Sequence, residues 1–426
     1  MMDTISIADL VREGAILDIQ DGNHGEKHPT AADYVDSDGV PFLMARDFPN
    51  GSLDVSNVTL LRRDVASKLR VGFAKPGDVL LTHKGTIGAT GIVPNGFDYV
   101  MLTPQVTYYR TDPRKLLNVY LRCAFRAPAF QQQLAAFSAQ STRPFVSISA
   151  QRSLVVPVAP YSTQRRIATL VSSYDDLIAN GEQRIRVLEG MVRTIYREWF
   201  VLFRYFGRQK VQVVSSPTGP IPKTWTATTL GAVVEAETGK RPKGGASSVE
   251  DGVPSVGAEN VNGLGRHDYA VEKYVPRAFF EQMRSGVVRD RDVALYKDGA
   301  YIGRSTYFRD GFPHQTFAVN EHVFLLRTVS RRLGPNMLYL WLQQPETVQT
   351  IRSKNANAAQ PGINRTILNG LPITIPSEDV AVRFESLVEP FLAAIVTLAK
   401  QRELLRRARD ILLVRLFSGR LRVGTA

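Results

Sequence analysis

The chain has 426 residues, of which 44% are hydrophobic and 22% charged, so it is long enough for two or more globular domains and too apolar to be disordered. It holds no apolar run of about 18 residues, and its start, Met1-Met2-Asp3-Thr4, lacks a basic-then-apolar leader pattern, so a cytoplasmic protein that does not enter the membrane is expected. The net charge is +13, carried by 40 Arg against 13 Lys, and planar guanidinium forks suit phosphates and guanine edges, which points to nucleic acid; a merely solvated basic face is the alternative.

Motifs for chemistry are absent. No Lys follows an acid by two residues, as a common nuclease metal site requires, and there is no G-K-[ST] phosphate loop, no H-E-x-x-H and no [ND]-P-P-[YF] methyltransferase element. The lone Cys123 excludes disulfides and CxxC metal sites, and its place in an apolar helical stretch makes it a core residue. The six histidines show no metal-ligand spacing; His24 and His28 are four apart, but Gly25 and Pro29 argue against a helix there. The chain reads as a binder with no catalytic residue, metal or cofactor of its own.

In chain order, residues 1–160 form a first globular part, with strand signals at 78–82 and 105–109 and one helix at 116–137. A long helix follows over 161–206. Ile167, Leu170, Tyr174, Leu177, Leu188, Met191 and Ile195 alternate at three and four, with Gly181 and Arg184 filling the middle, and Val171, Ile178, Ile185, Val192 and Trp199 recur every seven residues beside them, making a broad heptad stripe. A Pro-rich linker occupies 207–221. The second globular part, 222–376, has strands at 322–326 and 371–375 and a helix at 335–353, and a second long helix and tail fill 377–426.

The two halves are copies. At an offset of 217, Arg166 meets Arg383, Leu170-Val171 meets Leu387-Val388, Ile178 meets Ile395, Leu188 meets Leu405 and Phe200 meets Phe417, without a gap. Val106 and Arg110 meet Val323 and Arg327 at the same offset; Asp78 meets Asp292, Gly88 meets Gly303 and Gly39-Val40-Pro41 meets Gly252-Val253-Pro254 after a slight slip. The expected fold is α+β: a mixed α/β recognition domain followed by a long helix, written twice in tandem. The nearest cover for each heptad stripe is the other helix, and an antiparallel coiled coil with a pseudo-two-fold axis is preferred over two helices each packed on its own domain. A helix of this length, about 60 Å at about 1.5 Å per residue, would act as a spacer.

This organisation resembles the specificity subunit of Type I restriction-modification systems over nearly the whole chain. The stretch RRIATLVSSYDDLIANGEQRIRVLEGMVRTIYREWF at 165–200 is similar to the central conserved helix of that family, and FESLVEPFLAAIVTLAKQRELLRRARDILLVRLFSGRL at 384–421 to the distal one. GVPFLMARDF and GFAKPGDVLLTHKGTIG resemble a target recognition domain, while GVPSVGAENV and RDVALYKDGAYIG in the second copy are more diverged. The resemblance implies a subunit that binds a bipartite, asymmetric site in double-stranded DNA, one half per recognition domain. It would direct two adenine-methyltransferase subunits and ATP-dependent restriction subunits there, with AdoMet, ATP and Mg in those partners. A stand-alone DNA-binding scaffold or regulator, and the recognition subunit of another multi-subunit phage-defence system, are the competing classes.

Base readout needs Arg, Lys, Asn, Gln or His on loops that reach a groove. Candidates in the first copy are His24, Lys27, His83, Lys84, Thr86, Gln105, Gln140, Ser141, Thr142 and Arg143; in the second they are Lys240, Arg241, Lys243, Lys297, Tyr301, Arg304, Asn355, Asn357 and Gln360. Each is otherwise a turn or solvated loop residue. Trp199, Phe200, Leu416 and Phe417 at the helix ends are candidate partner anchors, or else pack on the neighbouring domain.

Overall fold

A computed structural model describes residues 2–22, 28–138, 144–205, 211–246, 252–354 and 362–421. The chain folds as two compact units, one of residues 1–177 with 405–426 and one of residues 178–404.

In the first unit, strands β1 (Asp3–Ser6), β2 (Ile16–Asp21), β3 (Val40–Leu43), β4 (Val79–Thr82), β5 (Thr90–Ile92), β6 (Val100–Leu102), β7 (Val106–Thr111) and β8 (Val155–Val158) accompany helices α1 (Asn118–Arg126) and α2 (Pro128–Ser138). The main sheet has the order β2-β7-β4-β5 and is antiparallel. β3 pairs parallel with β6, and β1 is zipped antiparallel to β8, Asp3 opposite Val158. The long helix α3 (Tyr161–Tyr196) begins here.

The second unit repeats this plan. Its strands are β9 (Thr226–Thr229), β10 (Val234–Thr238), β11 (Gly252–Val256), β12 (Asp292–Tyr296), β13 (Ser305–Phe308), β14 (Ala318–Val319), β15 (Val323–Thr328) and β16 (Pro372–Ile375); its helices are α4 (Pro335–Leu342) and α5 (Pro345–Ser353). The order β10-β15-β12-β13, the parallel β11–β14 pair and the β9–β16 ladder reproduce the first unit strand for strand. The last helix, α6 (Glu378–Phe417), starts here.

The helices expected at 116–137 and 335–353 are each two helices. The break falls before Pro128 and before Pro345, 217 residues apart: a proline opens the next helix readily but pushes the residue before it into extended backbone, as Ala127 and Gln344 are. In the stretch read as a linker, Val213–Val214 forms a short ladder with Ile221–Pro222. The α3 helix ends in a π turn at Arg197–Val201.

Within each unit the two long helices run antiparallel. In the first, Asp175 meets Arg409 while Ile167 and Val171 share a core with Leu413 and Leu416; in the second, Glu182 meets Arg402 and Tyr196 meets Phe384. The buried face of α3 takes Val171, Ile185 and Val192 from the seven-residue series together with Ile167 and Tyr196, whereas Leu170, Leu177 and Met191 of the other series lie exposed. The stripe was broad enough to admit both faces, and the sheets beneath selected one.

The same ion pair locks both sheets. Arg110 Nη2 lies 2.7 Å from Asp78 and Arg327 Nη2 2.7 Å from Asp292, each Asp almost fully buried, and each Arg also donates to a backbone carbonyl, Phe73 or Val287. The carboxylates in turn accept the backbone N–H of Lys75 and Arg289. Each buried charge is thus paired and hydrogen-bonded, the condition under which burial of an ion pair is tolerated.

Glu385 of α6 caps the N-terminus of α4. Its carboxylate accepts the Met337 N–H at 2.8 Å and the Asn336 N–H at 3.3 Å, and it occupies the space where a Cβ on Gly334 would stand. Burial pushes its pKa up to about 7, although the two amides pull the other way. Because the folded value lies above the unfolded one, the unfolded chain ionises first; stability is full below about pH 4.5 and declines as pH rises toward 7. Glu385→Gln keeps an acceptor and removes the charge. It is expected to stabilise the second unit by up to about 3 kcal/mol at pH 8 and not at pH 4.5, at about 1.4 kcal/mol per pKa unit. Thermal unfolding at the two pH values checks this, and an equal shift at both would refute the burial argument.

Candidate nucleic-acid interface

Register places a strand exit and two turns at one end of each sheet. In the first unit β2 ends at Asp21 opposite Thr107, and β4 ends at Thr82 opposite Val106. The end of β2 and the β4–β5 and β6–β7 turns therefore lie together. In the second unit the end of β10 and the β12–β13 and β14–β15 turns correspond to these.

The exits are shaped by glycine. A Cβ on Gly22 would lie 2.0 Å from the Leu102 carbonyl oxygen, and one on Gly239 would lie 1.6 Å from that of Val319. Gly72 and Gly286, both at positive φ, press against these glycines, and their carbonyls accept the Leu102 and Val319 amides at 2.9 Å. No other residue permits such backbone contact. A second shared device is a single bridge, Lys84 with Phe145 in one unit and Asp298 with Gly362 in the other, which ties the hairpin turn to the segment entering the next helix.

The candidate residues fall on this frame as follows. Lys84 and Thr86 are exposed at the β4–β5 turn, and Gln105 sits half-buried beside Gly85 with its side-chain oxygen accepting the Ala45 N–H at 3.0 Å. His83 is a correction. Its side chain is fully buried, with Nδ1 3.1 Å from the Val146 carbonyl, because the strand ladder extends one residue past β4 and turns the ring inward; it cannot reach a base. In the second unit, Lys240, Arg241 and Lys243 are exposed past Gly239, and Arg241 lies 3.6 Å from Glu321 on the adjacent turn. Lys297 is half-buried, its Nζ 3.9 Å from Asp298 and 5.5 Å from the centre of the Phe324 ring. Exposed Arg304 stacks 4.0 Å over the exposed Tyr301 ring and donates to Asn262 at 3.0 Å, so its guanidinium is held in a fixed plane. His24, Lys27, Gln140, Ser141, Thr142, Arg143, Asn355, Asn357 and Gln360 lie outside the described residues.

Of the four anchor candidates, Leu416 is fully buried in the first unit's core, where Phe417 packs 5.5 Å from Tyr120. Trp199 and Phe200 pack against Phe384 at 5.6 and 4.6 Å, with Trp225 beside Phe200. All four serve the packing of their own unit. Exposed apolar positions of the long helices include Leu170, Leu177, Ile411 and Val414 in the first unit and Val187, Met191, Val382, Leu387 and Leu404 in the second.

Among the described residues no helix is long and apolar enough to cross a membrane. No family model matches the chain. It is 24% identical over 404 residues to the Type I restriction enzyme MjaIX specificity subunit of Methanocaldococcus jannaschii, a match covering 90% of this chain and 87% of that one. It is 21% identical over 290 residues to the MjaVIII specificity subunit of the same organism, covering 66% and 65%. The crystal structure of a Type I restriction-modification S subunit from M. genitalium shares the fold, with a TM-score of 0.56 at 14% identity, over 98% of this chain and 96% of that one. In sequence the chain is similar to Type I restriction-enzyme specificity subunits along most of its length, and it shares the fold of a solved S subunit.

Proposed function

We propose that the chain is a non-catalytic DNA sequence-specificity subunit whose two sheet ends each read one half of a bipartite, asymmetric site in double-stranded DNA. The observation that carries this reading is the duplicated frame: equivalent glycine exits, bridges and turns present different side chains, Lys84, Thr86 and Gln105 in one unit and Arg241, Lys297, Tyr301 and Arg304 in the other. Equivalent supports with unlike side chains suit two unlike half-sites. The likeness to named specificity subunits and the Arg-rich charge support it.

In this reading two adenine-methyltransferase subunits dock on exposed helix positions such as Leu170 and Leu177, and ATP-dependent restriction subunits join through them. AdoMet, ATP and Mg belong to those partners, and the assembly works in the cytoplasm.

Exchange of residues 1–160 for another domain of the same kind is expected to change one half of the methylated sequence and leave the other intact. Methylation mapping reads this directly, and simultaneous change of both halves would refute independent readout. Lys84→Ala and Arg304→Ala are each expected to weaken specific binding by about 1–3 kcal/mol, as loss of a base contact does. A chain that binds one DNA sequence with no methyltransferase partner would favour the stand-alone regulator.

A further inference from the structure

The second unit gathers three side chains that no sequence spacing suggested. His267 and Glu272 lie between β11 and β12, and His314 lies between β13 and β14. His267 Nε2 is 2.6 Å and His314 Nε2 is 2.5 Å from the same oxygen, Glu272 Oε1. The three potential ligand atoms lie within 4.8 Å of one another. The His267 and Glu272 side chains are 1% and 4% exposed, whereas that of His314 is 26% exposed and opens the group to solvent on one side.

The surroundings are those of an oriented ligand set. Tyr274 donates its hydroxyl to Glu272 Oε2 at 2.6 Å, which fixes the carboxylate and leaves Oε1 as its one inward donor. The two imidazoles stand edge to face at 89°, with Tyr269 against both rings. Metal ligands are characteristically held by such outer partners. Two imidazole nitrogens and one carboxylate oxygen, with no thiolate, suit zinc and its neighbours rather than calcium or magnesium, which take oxygen ligands. At bond lengths of about 2.0–2.1 Å, tetrahedral ligands stand roughly 3.3 Å apart, so the group must widen by under about 1 Å, and the partly exposed His314 can supply that movement. In the first unit, Val58 or Thr59 stands where the second has Glu272, so the central carboxylate of this group is not shared.

We propose that His267, Glu272 and His314 bind one divalent ion of the zinc class, with water as fourth ligand, stapling the two loops of the second unit. The opposing account is a clamp in which both imidazoles simply donate to the carboxylate. Both predict loss of stability on substitution, so metal uptake must decide.

The full chain, freed of metal by chelation, is titrated with zinc by calorimetry and with cobalt(II) by visible absorption. The expected result is one ion per chain and the intense visible bands of four-coordinate cobalt. His314→Asn, at the exposed edge, should keep the wild-type circular dichroism and weaken uptake at least about tenfold, and Tyr274→Phe should weaken it about 10–100-fold through the lost outer contact. Absence of uptake at micromolar zinc would overturn the proposal in favour of the clamp. Uptake unchanged by His314→Asn would overturn it by placing the ion elsewhere.

Discussion

Replacing Asp175 with alanine is expected to destabilise the first unit by about 3–5 kcal/mol, the usual cost of leaving buried charges without their partner. Asp175 faces three guanidinium groups: Arg122 in direct contact, Arg409 at 2.8 Å and Arg126 at 3.7 Å. Their side chains are all mostly buried, and among the described residues the exposed Asp410 also pairs with Arg126 and Arg409. Burial and the neighbouring Arg409 already lower the pKa of Arg126 to about 10. Burial works against ionisation of Asp175 too, but Arg122 and Arg409 outweigh it and hold its pKa below the usual carboxylate value. Its stabilising effect is therefore present above that usual value and fades as the pH falls through the lowered one. Urea unfolding of the single variant measures the loss at neutral pH. Adding Arg409→Met should recover part of it, because an apolar side chain needs no counter-charge. A single-variant loss below about 1 kcal/mol would show the cluster to be solvated and the argument wrong.

Phe384→Ala is expected to cost about as much in the second unit, about 3–5 kcal/mol, by opening a cavity that rigid neighbours cannot fill. Phe384 is fully buried and meets Phe200 edge-on at 4.6 Å, Trp199 at 5.6 Å and Tyr196 at 6.0 Å. These three rings stand on the last turn of α3 and the π turn after it, so the substitution also removes what holds that turn against α6. Denaturant unfolding gives the loss, and the fluorescence of Trp199 should shift to longer wavelength as its ring gains water. Stability within about 1 kcal/mol of the native chain would mean that the aromatic group collapses around the gap.

The sequence is legible where a physical constraint is local or repeated. The 217-residue offset matched Arg110 with Arg327, and a near offset matched Asp78 with Asp292; the structure joins each Arg to the Asp of its own copy, a pairing that matching alone could not reveal. Both long helices were legible from their heptads, but not the choice of Val171, Ile185 and Val192 over Leu170, Leu177 and Met191, since sheets distant in sequence make that choice. His83 looked like a loop residue because Lys84-Gly85-Thr86 follows it, yet one further ladder position turns its ring into the core. His267, Glu272 and His314 escaped notice because 47 residues separate the two histidines and only the loop geometry of the second unit joins them. Lys84, Thr86, Lys240, Arg241 and Arg304 do lie exposed outside the strands, but nothing local marks that the ladder carries on through His83.

The glycine contacts at the sheet ends separate two kinds of mutational tolerance. Because Gly22 meets Gly72 and Gly239 meets Gly286 through backbone atoms alone, the geometry of each strand exit is indifferent to the side chains that come after it. The chain then has 17 residues between Gly22 and Val40 but 12 between Gly239 and Gly252, and β3 and β11 nonetheless start the same parallel pairing. Substitutions and length changes beyond the glycine are thus expected to cost little folding energy, while a single methyl group on it strikes a carbonyl. If these segments bind DNA as proposed, what they contact can change without a matching loss of stability, whereas the glycine contacts beneath them cannot.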